Sequence, residues 1–546
     1  MKTYTNPVYA YERSADQDAP PRRRPVVVVG AGPVGLAAAI DLAQRDIPVV
    51  VLDDDTTVSV GSRAICYAKR TLEILDRLGC GERVVQKGVE WKVGRVFVRD
   101  ELAYRFDLLP EAGHRRPAFV NLQQYYLEEY LVERIADLPS ATVRWQHKVV
   151  AVTPQDDGVV LRIETPDGDY WLTCDWLIVA DGAKSTVRAL LGLESEGQVF
   201  RDRFLIADIH MLSDFPAERW FWFDPPFHPN QSALLHRQAD DVWRIDFQLG
   251  WDADPDEERK PERILPRLRA MLGPKAEFDI EWASVYTFQC RRLAKFRHGH
   301  VLFAGDAAHL VSPFGARGAN SGIQDVDNLV WKLALVLDGA APARLLDTYD
   351  AERIPATDEN LLHSTRSTDF ISPKSAISRT FRDAVLSLAK RHAFARRLVN
   401  SGRLSLPHHY ADSPLLTPDA DGTTFASALG AGAPAADAPV KGPGSDWFID
   451  YLTSGFTLVA FGPSVPPAAA IALAQDTVPC RVVQVGAATG SDGIVLEDAA
   501  GLLRERYDGA PGTCYLFRPD QHVCARWRSF DSRAVRAAIA RATAND

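Results

Sequence analysis

The sequence predicts an α/β protein: a parallel-sheet domain interrupted by an inserted antiparallel sheet and followed by a smaller α/β domain. Three observations predict it. Within residues 25–53 a buried-type strand, a glycine turn, a helix and a second strand follow one another. Strands that end in acid-and-glycine turns recur at 176–188 and 301–320. Between those two, from about 199 to 280, the pattern changes to short segments rich in Trp and Phe.

The first unit carries the most chemistry. Residues 26–29 are four valines, a β-branched run suited to a strand buried on both faces. Gly30, Gly32 and Gly35 follow in G-x-G-x-x-G spacing, with Pro33 and Val34 inside the turn. The first glycine makes the turn, the second lets backbone N–H groups approach a pyrophosphate, and the third lets the helix lie close on the strand. Leu36, Ala39, Ile40 and Ala43 recur at helical spacing, so the helix N-terminus points its free N–H groups at phosphate. Residues 48–52 form a second strand, and Asp53 stands 23 residues beyond Gly30, where the motif places an acid for ribose hydroxyls; Asp54 adjoins it. This is a Rossmann-like, dinucleotide-binding unit. Arg22, Arg23 and Arg24 before an Ala-rich run imitate a twin-arginine export signal, but Asp41 and Arg45 interrupt the run and it ends in a strand.

Composition sets the frame. A chain of 546 residues exceeds one hydrophobic core and suggests about three or four domains. With 46% hydrophobic and 25% charged residues it reads as an ordinary globular protein, and a net charge of −10 argues against nucleic acid or an anionic membrane as the main partner. No apolar stretch approaches the length of a membrane span. Seven scattered cysteines, without a C-x-x-C pair, suggest a reducing cytoplasm and no metal.

The remaining elements follow in order. Residues 1–24 lack periodicity and read as a loosely ordered arm. Arg63 lies in a polar loop after Asp53, free to approach a cofactor or to remain solvated. A helix is expected from Asn121, with Gln123 and Gln124 at its start, then short strands at 149–152, 159–163, 170–172 and 176–180, punctuated by Asp-Gly turns. Asp181 and Gly182 end the last of these, at the ligand edge of the sheet. The inserted sheet, expected at 204–210, 220–223, 232–237 and 242–249, is a floor or lid for an aromatic ligand. After residue 280 the chain returns to the first domain. A strand at 301–304 ends in Gly305-Asp306, and a helix from Ser321 to Gly339 gives a second anion-friendly N-terminus. One dinucleotide then lies across both glycine turns. The domains expected are 1–24, an arm; 25–198 with 281–370, the dinucleotide domain; 199–280, the inserted sheet; 371–429, a helical connector; and 430–546, a small α/β domain entered through the linker-like run 430–444.

Together, GAGPVG with Asp53, DGAKSTVR at 181–188 and GDAAHLVSPFGARGANSGIQD at 305–325 resemble the single-component, FAD-dependent aromatic hydroxylases. That family includes phenol, p-hydroxybenzoate and 3-(3-hydroxyphenyl)propionate hydroxylases. The tail GTCYLFRPDQHVCARW at 512–527 resembles the end of the thioredoxin-like C-terminal domain of its larger members, here without C-x-x-C. The fold implied is a Rossmann-like FAD domain, an inserted substrate sheet and a thioredoxin-like domain, with packing or homodimer contacts as the tail's use.

The resemblance implies residue roles. Gly30, Gly32 and Gly35 would hold the FAD pyrophosphate and Asp53 the ribose, while Arg63 and Gln124 match flavin-contacting positions. Asp181 matches the acid of the DG motif, and Asp306 the acid near the ribityl chain. Gly318, Ala319 and Asn320 would face the flavin pyrimidine edge, and Pro313 would bring a carbonyl to the substrate pocket. Arg317, in a Gly-Ala-Arg-Gly segment, stands between a flavin contact and a structural role. The reaction implied is hydroxylation of a phenol, a phenolic acid among the candidates, with NADH or NADPH as transient reductant, O2 as cosubstrate and a flavin C4a-hydroperoxide as oxidant. His236, Tyr286 and His309 are candidates to take the phenol proton, His309 being rather structural. Trp222, His236, Arg237, Arg244, Tyr286 and Phe314 are candidates to meet substrate. Two other readings compete: a flavin-dependent halogenase, whose W-x-W-x-I-P segment residues 220–225 partly imitate, and a non-catalytic flavoprotein that binds an aromatic ligand.

Overall fold

A computed structural model of the chain describes residues 4–399, 404, 406–486 and 493–546. The chain divides into two compact units, one of residues 1–110, 117–323 and 357–406, the other of 111–116, 324–356 and 407–546.

The first unit is built on a parallel sheet. Arg23–Val29 lies between Gly168–Val179 and Val49–Asp53, with Val301–Phe303 beyond the former and Ala141–Trp145 beyond the latter, all parallel. Val26, Val27 and Val28 are fully buried, as a strand covered on both faces requires. The strands expected separately at 170–172 and 176–180 are one strand, Gly168–Val179, whose outer half pairs with a hairpin and whose inner half joins the parallel core. The two glycine turns meet: a Cβ on Gly305 would come within 2.9 Å of Val34, and one on Gly322 within 2.6 Å of it. Turns almost 300 residues apart therefore close on each other.

The inserted sheet is larger than 199–280. Its eight strands run in the order His309–Leu310, Asp279–Leu293, Ser195–His210, Val242–Leu249, Ser232–Arg237, Arg219–Phe223, Val93–Val98 and Glu101–Asp107. Residues 281–293, expected in the dinucleotide domain, thus extend this sheet, because Asp279–Leu293 pairs along almost its whole length with Ser195–His210. The hairpin at 93–107 also joins it, through a parallel pairing of Val93–Val98 with Arg219–Phe223. One face packs Trp243, Ile245, Phe247 and Leu205 into a core; each such large side chain, once buried, stabilises by about 1.5–3 kcal/mol.

The arm is ordered rather than loose. Tyr4 stacks on Tyr125 at 4.1 Å and Tyr9 on Trp145 at 4.4 Å. The buried Asp16 carboxylate accepts from Arg24 and Arg144. Apolar ring area and a buried ion pair outweigh the polar composition that suggested a tail.

In the second unit the sheet order is Ile494–Leu496, Cys480–Val485, Phe456–Phe461, Cys514–Phe517, Val523–Trp527. The first three strands are parallel, the fourth runs antiparallel to the third and the fifth antiparallel to the fourth, with helices Pro467–Ala474 and Ser532–Ala542 packed alongside. Its cysteines Cys480, Cys514 and Cys524 are buried thiols. The run 430–444 is not a free linker. Ala435, Ala438 and Val440 are buried in this unit's core, and Pro434 and Pro439 bridge to His522 and Trp447. Small side chains read as linker are here the ones that fit closest. Nor is 371–429 helical throughout: helices Ala376–Ala389 and Ala393–Val399 fill its first part, while 406–429 holds no helix, in keeping with Pro407, Pro414 and Pro418.

Beneath the sheet lies a charged cluster. Arg518, fully buried, donates to both Glu352 and Asp520, and Lys332 Nζ donates to Glu352 at 2.7 Å and to Asn328 at 2.8 Å. Arg353 donates to Asp325 at 2.7 Å and to the Tyr410 hydroxyl at 3.1 Å.

Candidate functional site

The candidate cofactor cradle is built from two helix ends. Helix Pro33–Ala43 has no acid in its first turn, and neither has Gly318–Leu337, so both N-termini keep their positive ends for a ligand. Gly30 sits at φ +104° with Ala180 against it, and a Cβ on Gly35 would collide with the Gly30 carbonyl. Those two glycines serve the packing. Gly32 differs: a Cβ there meets nothing within 4 Å, which leaves the open approach a pyrophosphate needs. Gly182, at φ +79°, is open in the same way.

The acids around this cradle are held in different ways. Asp53 accepts from the backbone N–H of Ala31 and of Asp55. Burial pushes its carboxyl up to about 6, against the pull of those N–H groups. Asp54 beside it is exposed. Asp181 Oδ2 accepts from Val187 N at 3.0 Å, while Oδ1 is buried without a partner among the described residues; burial raises this acid too. Asp306 is exposed, and a Cβ on Gly318 would lie 3.8 Å from its Oδ1.

Several predicted contacts are spent inside the protein. Gln124 accepts from Ala64 N at 2.9 Å and donates to Glu128 at 2.7 Å, which shapes the loop that carries the exposed Arg63. The Asn320 side chain accepts from Ala68 N and donates to the Cys66 carbonyl, both at 2.8 Å, so only its backbone faces the helix end. The Pro313 carbonyl accepts from Ala316 N at 3.2 Å and closes a turn. Arg317 is buried and donates to Asn360 at 3.2 Å, which places it with the structural residues while it also borders the cleft described next. His309 is buried beside Phe296.

One face of the inserted sheet, together with the turn at 314–317 and residues of the 367–404 stretch, lines an aromatic cleft. Residues directly paired across strands share a face, and three such rows cross the sheet. One reads Ile206, Asp246, Leu234, Phe221, Val96, Tyr104. A second joins Asp208, Arg244 and His236, with Arg219 on the next strand. The third joins Tyr286, Phe204 and Gln248, with Ser232 and Phe223 alongside. Phe221, Phe223, Tyr104, Phe106, Phe314 and Arg219 line the cleft.

Alternation decides which candidates reach it. Phe314 does, packed edge-on against Phe204 and Phe288 at 5.1 Å each. Trp222 does not: one residue along from Phe221, it points to the other face and stacks on Phe97 at 5.2 Å. Arg244 meets a carboxylate, but the protein's own. Its Nε donates to Asp208 at 3.0 Å, and its Nη2 holds the Ser62 carbonyl, pinning the Arg63 loop. Arg237 pairs with Asp241 at 3.0 Å. His236 is buried, and burial together with Arg219 and Arg244 holds its ring neutral. Tyr286 is 39% exposed; packing around its ring and the Asp306 charge push its hydroxyl up to about 12. Residues missed in the sequence are Arg219, Phe221, Phe223, Tyr104 and Phe106. The alternation at 219–223 was legible; the strand that sets its register lies about 120 residues upstream.

Comparison with known proteins follows the same outline. The FAD binding domain family matches residues 23–363. The chain is 33% identical over 518 residues to 6-methylpretetramide 4-monooxygenase of Streptomyces rimosus, across 92% of this chain and 90% of that one. It is similar in structure to the flavin-dependent monooxygenase PieE in complex with FAD and substrate, with a TM-score of 0.81 and 25% identity, covering 97% of this chain and all of the other. Aklavinone-11 hydroxylase, in a ternary complex with FAD and aklavinone, shares the fold at a TM-score of 0.77 and 24% identity, over 95% and 99% of the two chains.

Proposed function

This chain belongs to the FAD binding domain family and is an FAD-dependent aromatic hydroxylase; from that premise we propose that its substrate is a phenol of two or more fused rings, hydroxylated with O2 and with electrons from NADH or NADPH. The cleft carries this reading. Five aromatic rings along one cleft offer a long apolar face, which suits a broad, flat ligand better than a single benzene ring. The relative of matching length acts, by its name, on 6-methylpretetramide, which supports a fused-ring substrate.

The residues present fit FAD: two acid-free helix ends, the open Gly32, the orphaned Asp181 oxygen and the Asp53 carboxylate. The open turn at Gly32 would hold the pyrophosphate, with Gly30 and Gly35 shaping that turn, Asp53 the ribose, and the first turn of Gly318–Leu337 the ring edge. Bound FAD supplies the redox chemistry and the activation of O2. The protein's part is to keep the site dry and to orient the ring. Phe221, Phe223, Tyr104 and Phe314 exclude water and sandwich the substrate plane. Arg219, on the same wall, offers a cation to an acidic ring oxygen. No second strand-then-G-x-G-x-x-G unit is present, which supports a nicotinamide that visits briefly rather than residing.

The test is a panel of resorcinol, 4-nitrophenol, 3-(3-hydroxyphenyl)propionate and a hydroxylated anthraquinone, scored for NAD(P)H consumption and for product that carries label from 18O2. Labelled product from the fused-ring member is the expected result. Efficient labelling of the single-ring members, with only peroxide released by the anthraquinone, would overturn the substrate assignment.

Asp53 adds a pH signature. FAD affinity is expected to fall as pH drops through about 6, where the carboxyl takes up a proton and stops accepting from ribose hydroxyls. The apo chain should move the opposite way. A folded value above the ordinary 3.8 means the native state binds more protons, so this group favours folding as pH falls from about 6 towards 3.8. Flavin-fluorescence titration between pH 5 and 8 checks the first, and Asp53→Asn should flatten it.

A further inference from the structure

Two acids stand on the central strands of the inserted sheet's cleft face, Asp208 and Asp246, and the protein pairs only the first of them fully. Asp208 is saturated: Oδ1 accepts from Arg244 Nε at 3.0 Å and Gln238 Nε2 at 3.3 Å, and Oδ2 from the Ser62 hydroxyl. Asp246, two residues beyond Arg244 on the same strand, is not. Its Oδ1 is buried without a hydrogen-bond partner among the described residues. The His236 ring nitrogen Nε2 stands 4.0 Å from Oδ2, too far for a hydrogen bond, and His236 Nδ1 is unpartnered as well. Leaving a buried polar group unsatisfied costs about 1–3 kcal/mol. Asp246 shares a cross-sheet row with Phe221, Val96 and Tyr104, all of which line the cleft. Arg219, which lines it too, makes no hydrogen bond or ion pair among the described residues. An unpartnered acceptor in the same cross-sheet row as the cleft's rings, and a cation that lines the cleft, match a ligand hydroxyl that becomes an oxyanion.

We infer that Asp246 is the base that takes the proton from the ring hydroxyl of the substrate, and that Arg219 holds the oxygen left behind. The inference rests on the aromatic-hydroxylase reading of the cleft. In the step, the substrate O–H bond breaks, its electron pair stays on the ring oxygen, and the proton bonds to Asp246 Oδ1. The ring becomes a phenolate, richer in electrons at the carbons to be oxygenated. No electrons leave the substrate in this step, and the charge moves from carboxylate to ring oxygen, beside the guanidinium.

The surroundings suit a base. Arg244 on the same strand, His236 and Asp208 on the two neighbouring strands, Arg219 on the strand beyond that of His236, and Cys66 all act on this carboxyl. Burial and Asp208 raise it, both arginines lower it, and the balance stands at about 6, so it is ionised at neutral pH and still basic enough to accept. His236 stays neutral beside it.

The test uses the holoenzyme with the panel phenol it turns over best and a ring-fluorinated analogue whose hydroxyl is about two pKa units more acidic. In Asp246→Asn, labelled product from the parent phenol is expected to fall about 100-fold or more, while NAD(P)H consumption persists and peroxide takes the place of product. The loss should shrink at least tenfold for the fluorinated analogue, which ionises unaided, and the acid limb near pH 6 should vanish from the rate profile. Asp246→Glu should restore part of the rate and serves if the Asn variant fails to retain FAD. An equal loss for both phenols, or an acid limb retained in Asp246→Asn, overturns the inference and leaves the hydroxylase reading intact. Absence of labelled product from the unaltered enzyme across the panel overturns both.

Discussion

Gly32→Val is expected to fold normally and to emerge from purification without bound flavin. A Cβ at Gly32 meets no protein atom within 4 Å, and the backbone there is extended, so the fold tolerates a side chain at this position. What it fills is the approach to the helix N-terminus, where backbone N–H groups must come close to a pyrophosphate. Thermal unfolding of the apo protein should therefore stay within a few degrees of the unaltered chain, while FAD affinity falls at least about 100-fold, equivalent to about 2.7 kcal/mol. Gly30→Val is the contrasting case. Its φ of +104° and the Ala180 carbonyl 2.5 Å from its Cβ make that change a folding defect, with flavin loss as a consequence. Should Gly32→Val bind FAD as tightly as the unaltered protein, the cradle is misplaced.

Arg518→Leu should lower the stability of the second unit by about 3–5 kcal/mol. The guanidinium is fully buried and divides its donors between Glu352 and Asp520. Removing it leaves two carboxylates in a dry interior. Glu352 retains Lys332, Asn328 and Ser413, and Asp520 retains its neighbour His522, but both lose the guanidinium that offsets their burial. Arginine beside them is also what holds both carboxyls below the ordinary range against the cost of burial. Urea unfolding followed by near-ultraviolet circular dichroism gives the difference. Arg83→Leu, which breaks an exposed pair with Glu133, provides the scale and should cost well under about 1 kcal/mol. A loss from Arg518→Leu no larger than that from Arg83→Leu would show that the cluster adds nothing to stability.

Much of this architecture was legible wherever a local pattern dictates the outcome. Phe456–Phe461 and Cys480–Val485 follow from strand-length segments dominated by apolar and β-branched residues, and the glycine turn with its two strands follows from spacing alone. Pairing between distant segments was not legible. Nothing near residue 221 reveals that its strand lies parallel to Val93–Val98, and that register puts Phe221 on the cleft and Trp222 behind it. Arg244 illustrates the same limit. A lone arginine on a strand invites a substrate carboxylate, and only the fold reveals that Asp208 lies directly opposite. Candidates chosen by residue type alone passed over Asp246, because an acid between Ile245 and Phe247 reads as the polar member of an alternating strand.

The stacked N-terminal arm fixes an order of events during synthesis. Its rings and its Asp16 find their partners at Tyr125, Trp145 and Arg144, and Tyr11 lies against Thr165. A ribosome must therefore deliver roughly the first 165 residues before the opening segment has all of its partners. Until then the arm carries its three tyrosines, Tyr4, Tyr9 and Tyr11, unstacked at the tunnel mouth, a span in which chaperones and proteases compete for it.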